Sequence, residues 1–215
     1  IINSLRSKSY IQKSNAYFWL GFMKGASAQD PRSDFKKSIE NASRAIEVES
    51  NNASAHDMIG NGNYWYGAYE KDNGRDPLPY WERADAAFRA AIQAEARFPW
   101  AHNDYGLLLQ GRGGYFARLG LDWKSELRRS ILSFHNARLA DPSYGPAYIN
   151  ELGSYYSIVE LMSGAGENLD AAVADALSLY ELSNKINMGI VLIHYNMANI
   201  LIKCDVCKSR QDYFS

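Results

Sequence analysis

Helix-start chemistry recurs in this chain every 46 residues, and few folds are compatible with that cadence. In the stretch Gly74 to Glu95, Asp76 is a good N-cap and Pro77 suits the first helical position, where its missing N–H costs nothing. Gly74 breaks whatever precedes them. The same signal stands 46 residues earlier at Asp30-Pro31, 46 later at Asp122-Trp123, and 46 later again at Asn168-Leu169. The helices so opened agree in detail. Ser38, Ala84, Ser130 and Ala176 share one register, and Ala45, Ala91, Ala137 and Ser183 share another, so small residues recur where helices approach closely. Between them fall Ala42, Phe88, Phe134 and Tyr180; in the second helix of this kind Trp81, Ala84, Ala87, Phe88, Ala91 and Ile92 form one stripe at helical spacing, which predicts a core face.

Each such helix is followed by a short turn and a second helical segment carrying Ala55-His56, Ala101-His102 and Ala147-Tyr148. A glycine comes soon after, at Gly60, Gly106 and Gly153, and Gly21 is expected to play that part in the first unit. A fixed period of helix, turn, helix predicts an all-α solenoid, in which no unit buries its own apolar face and stacked neighbours do so. Nine helices are expected, over residues 4–25, 31–49, 53–72, 77–95, 99–118, 123–140, 145–164, 169–186 and 189–203. They form a single repeat domain over 1–204, with repeats at 4–52, 53–98, 99–144 and 145–188, a half repeat at 189–204 and a tail at 205–215. In the half repeat Val191, Leu192, Ile200 and Leu201 are expected to cover the exposed end.

Composition narrows the function classes. With 47% apolar residues in 215, a packed core is readily supplied. The formal charge of −1, from 23 basic and 24 acidic residues without like-charge blocks, offers no basic face for nucleic acid. Cys204 and Cys207 alone make no secreted disulfide scaffold and point to a reducing compartment, so a cytoplasmic location is expected. No apolar run reaches the roughly 18 residues of a membrane span. The chain opens on Ile1, and a fragment of a longer protein is the expectation.

The order of landmarks resembles the tetratricopeptide repeat: Leu20-Gly21, Ile59-Gly60, Tyr105-Gly106 and Leu152-Gly153 in the first helices, then Ala84, Phe88, Ala91 and their equivalents in the second, then Pro142. The likeness covers nearly the whole chain. It departs where Ser50, Ala96 and Met188 replace the closing proline, and where 24 residues instead of roughly 12 separate Gly60 from Ala84. Both helices are therefore expected to be extended, joined by the Asp-Pro loop. Repeats of this long-loop kind resemble those carried behind the catalytic domain of large bacterial serine/threonine protein kinases. The resemblance implies a right-handed superhelix whose first helices line a groove for a guest peptide. The family's groove positions fall on Asp57, Asn103, Asn150 and Asn196, then on Asn61, Leu107 and Ser154, then on Tyr64, Gln110 and Ser157. Asparagine amides both donate and accept, which suits an extended guest backbone, although they could equally bond neighbouring helices or water. The family's basic carboxylate clamp is missing: Asp57, Met58, Asp104 and Glu151 stand where bases would. Among the clustered aromatics Tyr64, Trp65, Tyr66, Tyr69 and Tyr155-Tyr156, some must be core and others are candidate anchors.

No constellation points firmly to chemistry. Gly106 to Gly114 matches the glycine spacing of a phosphate loop, but Arg112 and Gly113 replace its Lys and Ser/Thr and no strand precedes it; the plainer account has Gly111 to Gly114 loosening a helix end. His56, His102 and His194 share one phase, yet equivalent rungs on helices roughly 8 to 10 Å apart cannot converge on one zinc ion. A flat ring at each helix start explains them better. Cys204-x-x-Cys207 has no further zinc ligands nearby, and no acid pair stands in a catalytic signature. The expectation is thus a protein or peptide interaction scaffold without catalytic, cofactor or metal residues, part of a larger bacterial signalling protein. A structural spacer or self-association domain is the alternative, and an enzyme using the repeat histidines a more distant one.

Overall fold

A computed structural model describes residues 2–186 and 191–204. Met188, Cys207 and the tail therefore lie outside the described residues. Among the latter, all regular structure is α-helical, in the order α1 (Ile2–Ala26), α2 (Arg32–Val48), α3 (Ala53–Asp72), α4 (Leu78–Ala94), α5 (Pro99–Leu119), α6 (Trp123–Ala140), α7 (Gly145–Gly164), α8 (Asp170–Lys185) and α9 (Val191–Lys203). The alternation of long first helices, 20 residues in α3 and α7, with shorter second ones, 17 in α4, is the extension that the 46-residue period requires. No helix of the described residues is long and apolar enough to cross a membrane.

The turns repeat as faithfully as the helices. The side chains of Asp30, Asp76 and Asn168 accept from the backbone N–H two residues on, at 3.0, 3.0 and 2.8 Å, and Asp122 accepts from Ser125 N–H at 3.2 Å. Pro77 comes just before α4 rather than inside it, so Asp76 reaches the N–H of Leu78 from one residue further out. Upstream of each cap the preceding helix closes with one motif. The N–H groups of Gln29, Arg75, Leu121 and Glu167 return to the carbonyls of Lys24, Glu70, Phe116 and Met162 at 2.8 to 2.9 Å. That closure needs a left-handed residue just before each donor, and Ala28, Gly74, Gly120 and Gly166 supply it, with φ of 56°, 72°, 69° and 69°. Ala28 is the odd one, because a Cβ is disfavoured at positive φ. Ala28→Gly is expected to raise stability by about 0.5–1 kcal/mol, read as a higher urea midpoint at unchanged slope.

The chain divides into two compact units between Leu108 and Leu109, inside α5. In the first, α1 packs on α2 and α3, α2 on α3, and α3 on α4. The expected stripe of α4 is its core face: Trp81, Ala84, Ala87, Phe88 and Ala91 are buried, and Ile92 is half-buried. Close approach is set by glycine. A Cβ on Gly60 would lie 2.5 Å from the ring of Phe88. Gly21 does not share that register; it lies against Phe35, as Gly67 lies against Trp81. Tyr66 stacks on Tyr80 at 4.2 Å, and Phe22 meets Trp65 edge to face at 4.8 Å, so much of the aromatic cluster of α3 is packing.

In the second unit α7 is central, packing on α6, α8 and α9. Tyr148, Leu152, Val159, Val173, Leu179, Ile193, Met197 and Ile200 form its core, with Cys204 buried among them. Only part of the expected end cover holds: Ile200 is buried and Leu201 packs against the core, while Val191 and Leu192 are exposed, because Ile193, Met197 and Ile200 define the inward stripe of α9. Gly113 is no helix loosener. The helix runs on to Leu119, and the missing Cβ of Gly113 makes room for Leu127, whose side chain would otherwise be 2.9 Å away.

Candidate functional site

Three of the residues expected in the groove come together in the first unit. Asp57 and Asn61 lie one turn apart on α3 and are 5% and 6% exposed, and Asn103 on α5 is 3% exposed. They meet around Asp104. The amide nitrogen of Asn61 donates to Asp104 at 2.7 Å and to Oδ2 of Asp57 at 3.3 Å, bridging two carboxylates on different helices. Asn103 adds a donor to Asp104 at 3.0 Å. The Oδ1 of Asp57 is buried without a hydrogen-bond partner. Burial and the charge of Asp104 push the Asp57 carboxyl well above the usual carboxylate range, and burial also raises Asp104 against the pull of the two asparagines. Tyr64 borders the group: burial, helped by the charge of Asp104, pushes its phenol up to about 12. Its ring packs edge-on against Trp65 at 5.2 Å.

Sequence spacing blurred this arrangement in one respect. Asn150 and Asn196 stand 46 and 92 residues after Asp104, so they share its phase rather than that of Asp57 and Asn103. Two registers thus lie one residue apart, and Asp104, which stands where the family's clamp has a base, is the residue around which the group assembles.

The second unit holds the remaining candidates. Gln110 and Asn196 crowd the bare backbone of Gly153, their amide nitrogens 3.3 and 3.8 Å from where its Cβ would stand. Asn196 donates to the carbonyl of Ile149 at 3.0 Å, which ties α9 to α7. Ser154 is instead a packing residue, its hydroxyl 2.9 Å from that of Ser130 in the buried α6–α7 contact. Asn150 is half-buried, and Ser157 bonds its own helix at Gly153.

The rings at the starts of α3, α5 and α7 have a structural role. Nε2 of His56 meets the carbonyl of Ser50 at 3.0 Å, Nε2 of His102 that of Ala96 at 2.9 Å, and the Tyr148 hydroxyl donates to Pro142 at 3.1 Å. The partners are the three positions where the repeat closes, so each ring ties a helix start to the loop before it. His194 departs from this, meeting the Tyr180 hydroxyl at 2.8 Å. Nor does any group of three or more His, Cys, Asp or Glu among the described residues stand close enough to hold a metal ion.

No protein-family model matches the chain, and no curated protein matches it. The tetratricopeptide likeness rests on its own residues.

Proposed function

We propose that this chain is a protein or peptide interaction scaffold of tetratricopeptide-like repeats, one segment of a larger bacterial signalling protein such as a serine/threonine kinase, working in the cytoplasm. One observation carries the reading: side-chain amides on first helices reach to a neighbouring first helix in the series, Asn61 forward to Asp104 and Asn196 back to Ile149. Such bonds hold polar groups in fixed rows, and an amide with both a donor and an acceptor end is suited to an extended guest strand. The reading assigns no catalytic group to the chain. Self-association is the second reading, favoured by the exposed apolar side chains of α9, where Val191, Leu192, Tyr195 and Ile202 are 78%, 54%, 61% and 68% exposed.

Capture with the immobilised chain, followed by direct titration of what is caught, separates the two. A groove guest should be a different protein whose affinity falls at least about tenfold in Gln110→Ala/Asn196→Ala, roughly 1.4 kcal/mol, with the chain still folded although loss of the Asn196–Ile149 bond costs it about 1 kcal/mol. Recovery of the chain itself, or a partner indifferent to both substitutions, would refute the groove reading.

A further inference from the structure

Five acidic side chains among the described residues are buried, and four of them meet a base. Asp34 receives Lys24 at 2.6 Å, Glu70 receives Arg75, Glu126 receives Arg112 at 2.7 Å and Arg129 at 3.0 Å, and Glu151 receives Arg138 at 2.6 Å. Asp57 is the exception. Its neighbour Asp104 is likewise met only by asparagine amides, so two carboxylates share three amide hydrogen bonds and no positive charge. A buried acid without a counter-charge is costly, and elsewhere this chain supplies the counter-charge itself.

We propose that the Asp57–Asp104 pair receives a basic side chain of the guest peptide, a lysine ammonium or an arginine guanidinium. The inference rests on the groove reading and gives it a substrate class. Three features of the place fit such an occupant. The Oδ1 of Asp57 is an acceptor lacking a donor, and ammonium and guanidinium groups carry only donors. Asp104 is half-buried, so a guest would enter on the side of Asp104, behind which Asp57 is buried. Tyr64, also half-buried, lies near enough for its phenol to feel the charge of Asp104, and an aromatic ring in the vicinity favours a cation over an anion. The polarity is opposite to a basic clamp for a carboxylate, and an acidic guest would meet two further acidic groups with no base to offset them. Charge-assisted hydrogen bonds to the pair would supply both what Asp57 lacks and the specificity of the groove.

The test titrates the whole chain calorimetrically with acetylated, amidated tetralysine, tetra-arginine and tetraglutamate peptides, and separately with calcium chloride. Both basic peptides should bind and tetraglutamate should not. Asp57→Asn/Asp104→Asn should weaken basic-peptide binding at least about tenfold. The exposed pair Glu47→Gln/Glu82→Gln, which removes at least as much charge, should leave it within about twofold. Equal weakening by the two double variants would reduce the effect to net charge and overturn the proposal. So would unchanged binding in the Asp double variant, or calcium binding lost in that variant with no basic-peptide binding to the parent chain. Because asparagine removes buried charge, the variants should fold, and thermal unfolding verifies this. A captured partner weakened by Gln110→Ala/Asn196→Ala but indifferent to the Asp double variant overturns this inference and leaves the groove reading standing.

Discussion

Gly67→Val should destabilise the first unit by about 3 kcal/mol and Trp81→Val by a similar amount, yet the two together should cost at least about 1 kcal/mol less than their sum. The indole of Trp81 is 1% exposed and its N–H donates to the carbonyl of Tyr64 at 3.2 Å, so it cannot step aside. A Cβ at Gly67 would lie 2.7 Å from it. Valine there overpacks the contact, and valine in place of Trp81 leaves a void. The chain itself shows that the pair can be exchanged as a unit. Gly21 faces Phe35 and Gly113 faces Leu127, each with a Cβ clearance of 2.9 Å, in the register of Gly67 and Trp81. At the fourth occurrence Val159 and Val173 occupy the two places, both buried in one core. Where the large partner shrinks, the glycine grows. Urea unfolding of the parent, the two single variants and the double variant measures the coupling, and simple additivity would show that the two positions do not share a volume.

Asp57→Asn should stabilise the chain at neutral pH by about 1–3 kcal/mol, because the neutral amide keeps the shape of the side chain but never has to carry a desolvated charge. The carboxyls of Asp57 and Asp104 are held above the usual range in the fold, so the folded state binds more protons than the unfolded chain once pH exceeds about 4, and stability falls as pH climbs toward the folded values. Below about pH 4 both states are protonated and the penalty disappears. Exposed Asp30 acts in the other sense, since hydrogen bonds from Arg32 hold it down to about 2. The difference between parent and variant isolates the buried pair. The advantage of Asp57→Asn should shrink toward zero as the solution is acidified from pH 8 to 4, measured by chemical unfolding at each pH; an advantage independent of pH would mean that Asp57 carries no excess proton in the fold.

Much of the architecture was legible because a period is one-dimensional information. The caps at Asp30, Asp76, Asp122 and Asn168 and the small residues at Ser38, Ala84 and Ser130 fix where helices start and which face turns inward. The first helices then follow to within two residues, as α3 at Ala53–Asp72 and α7 at Gly145–Gly164 show. What the period does not carry is the identity of the filler at each contact. The order of landmarks sets Gly21 beside Gly60, and only the ring of Phe35 against it reveals the other register. The pairing of Asp57 with Asp104 was missed for a related reason. It joins residues on α3 and α5 through the third residue Asn61, and an acid printed beside Asn103 and His102 has no visible partner until the helices are side by side. Of the predicted groove set, Asp57, Asn61, Tyr64 and Asn103 cluster around Asp104, Gln110 and Asn196 gather at Gly153, and Ser154 belongs to helix packing.

The closing bonds of the four turns that follow α1, α3, α5 and α7 each span five residues, from Gln29 to Lys24 through Glu167 to Met162, and the cap bonds after them are shorter still. The backbone geometry of each such corner is consequently written within its own loop, and the links between corners, such as Lys124 to Glu167 and Arg32 to Glu70, are made by side chains. A chain with such corners can gain or lose whole modules without any corner being redrawn, so its reach is adjustable in steps while the chemistry displayed on each module varies freely.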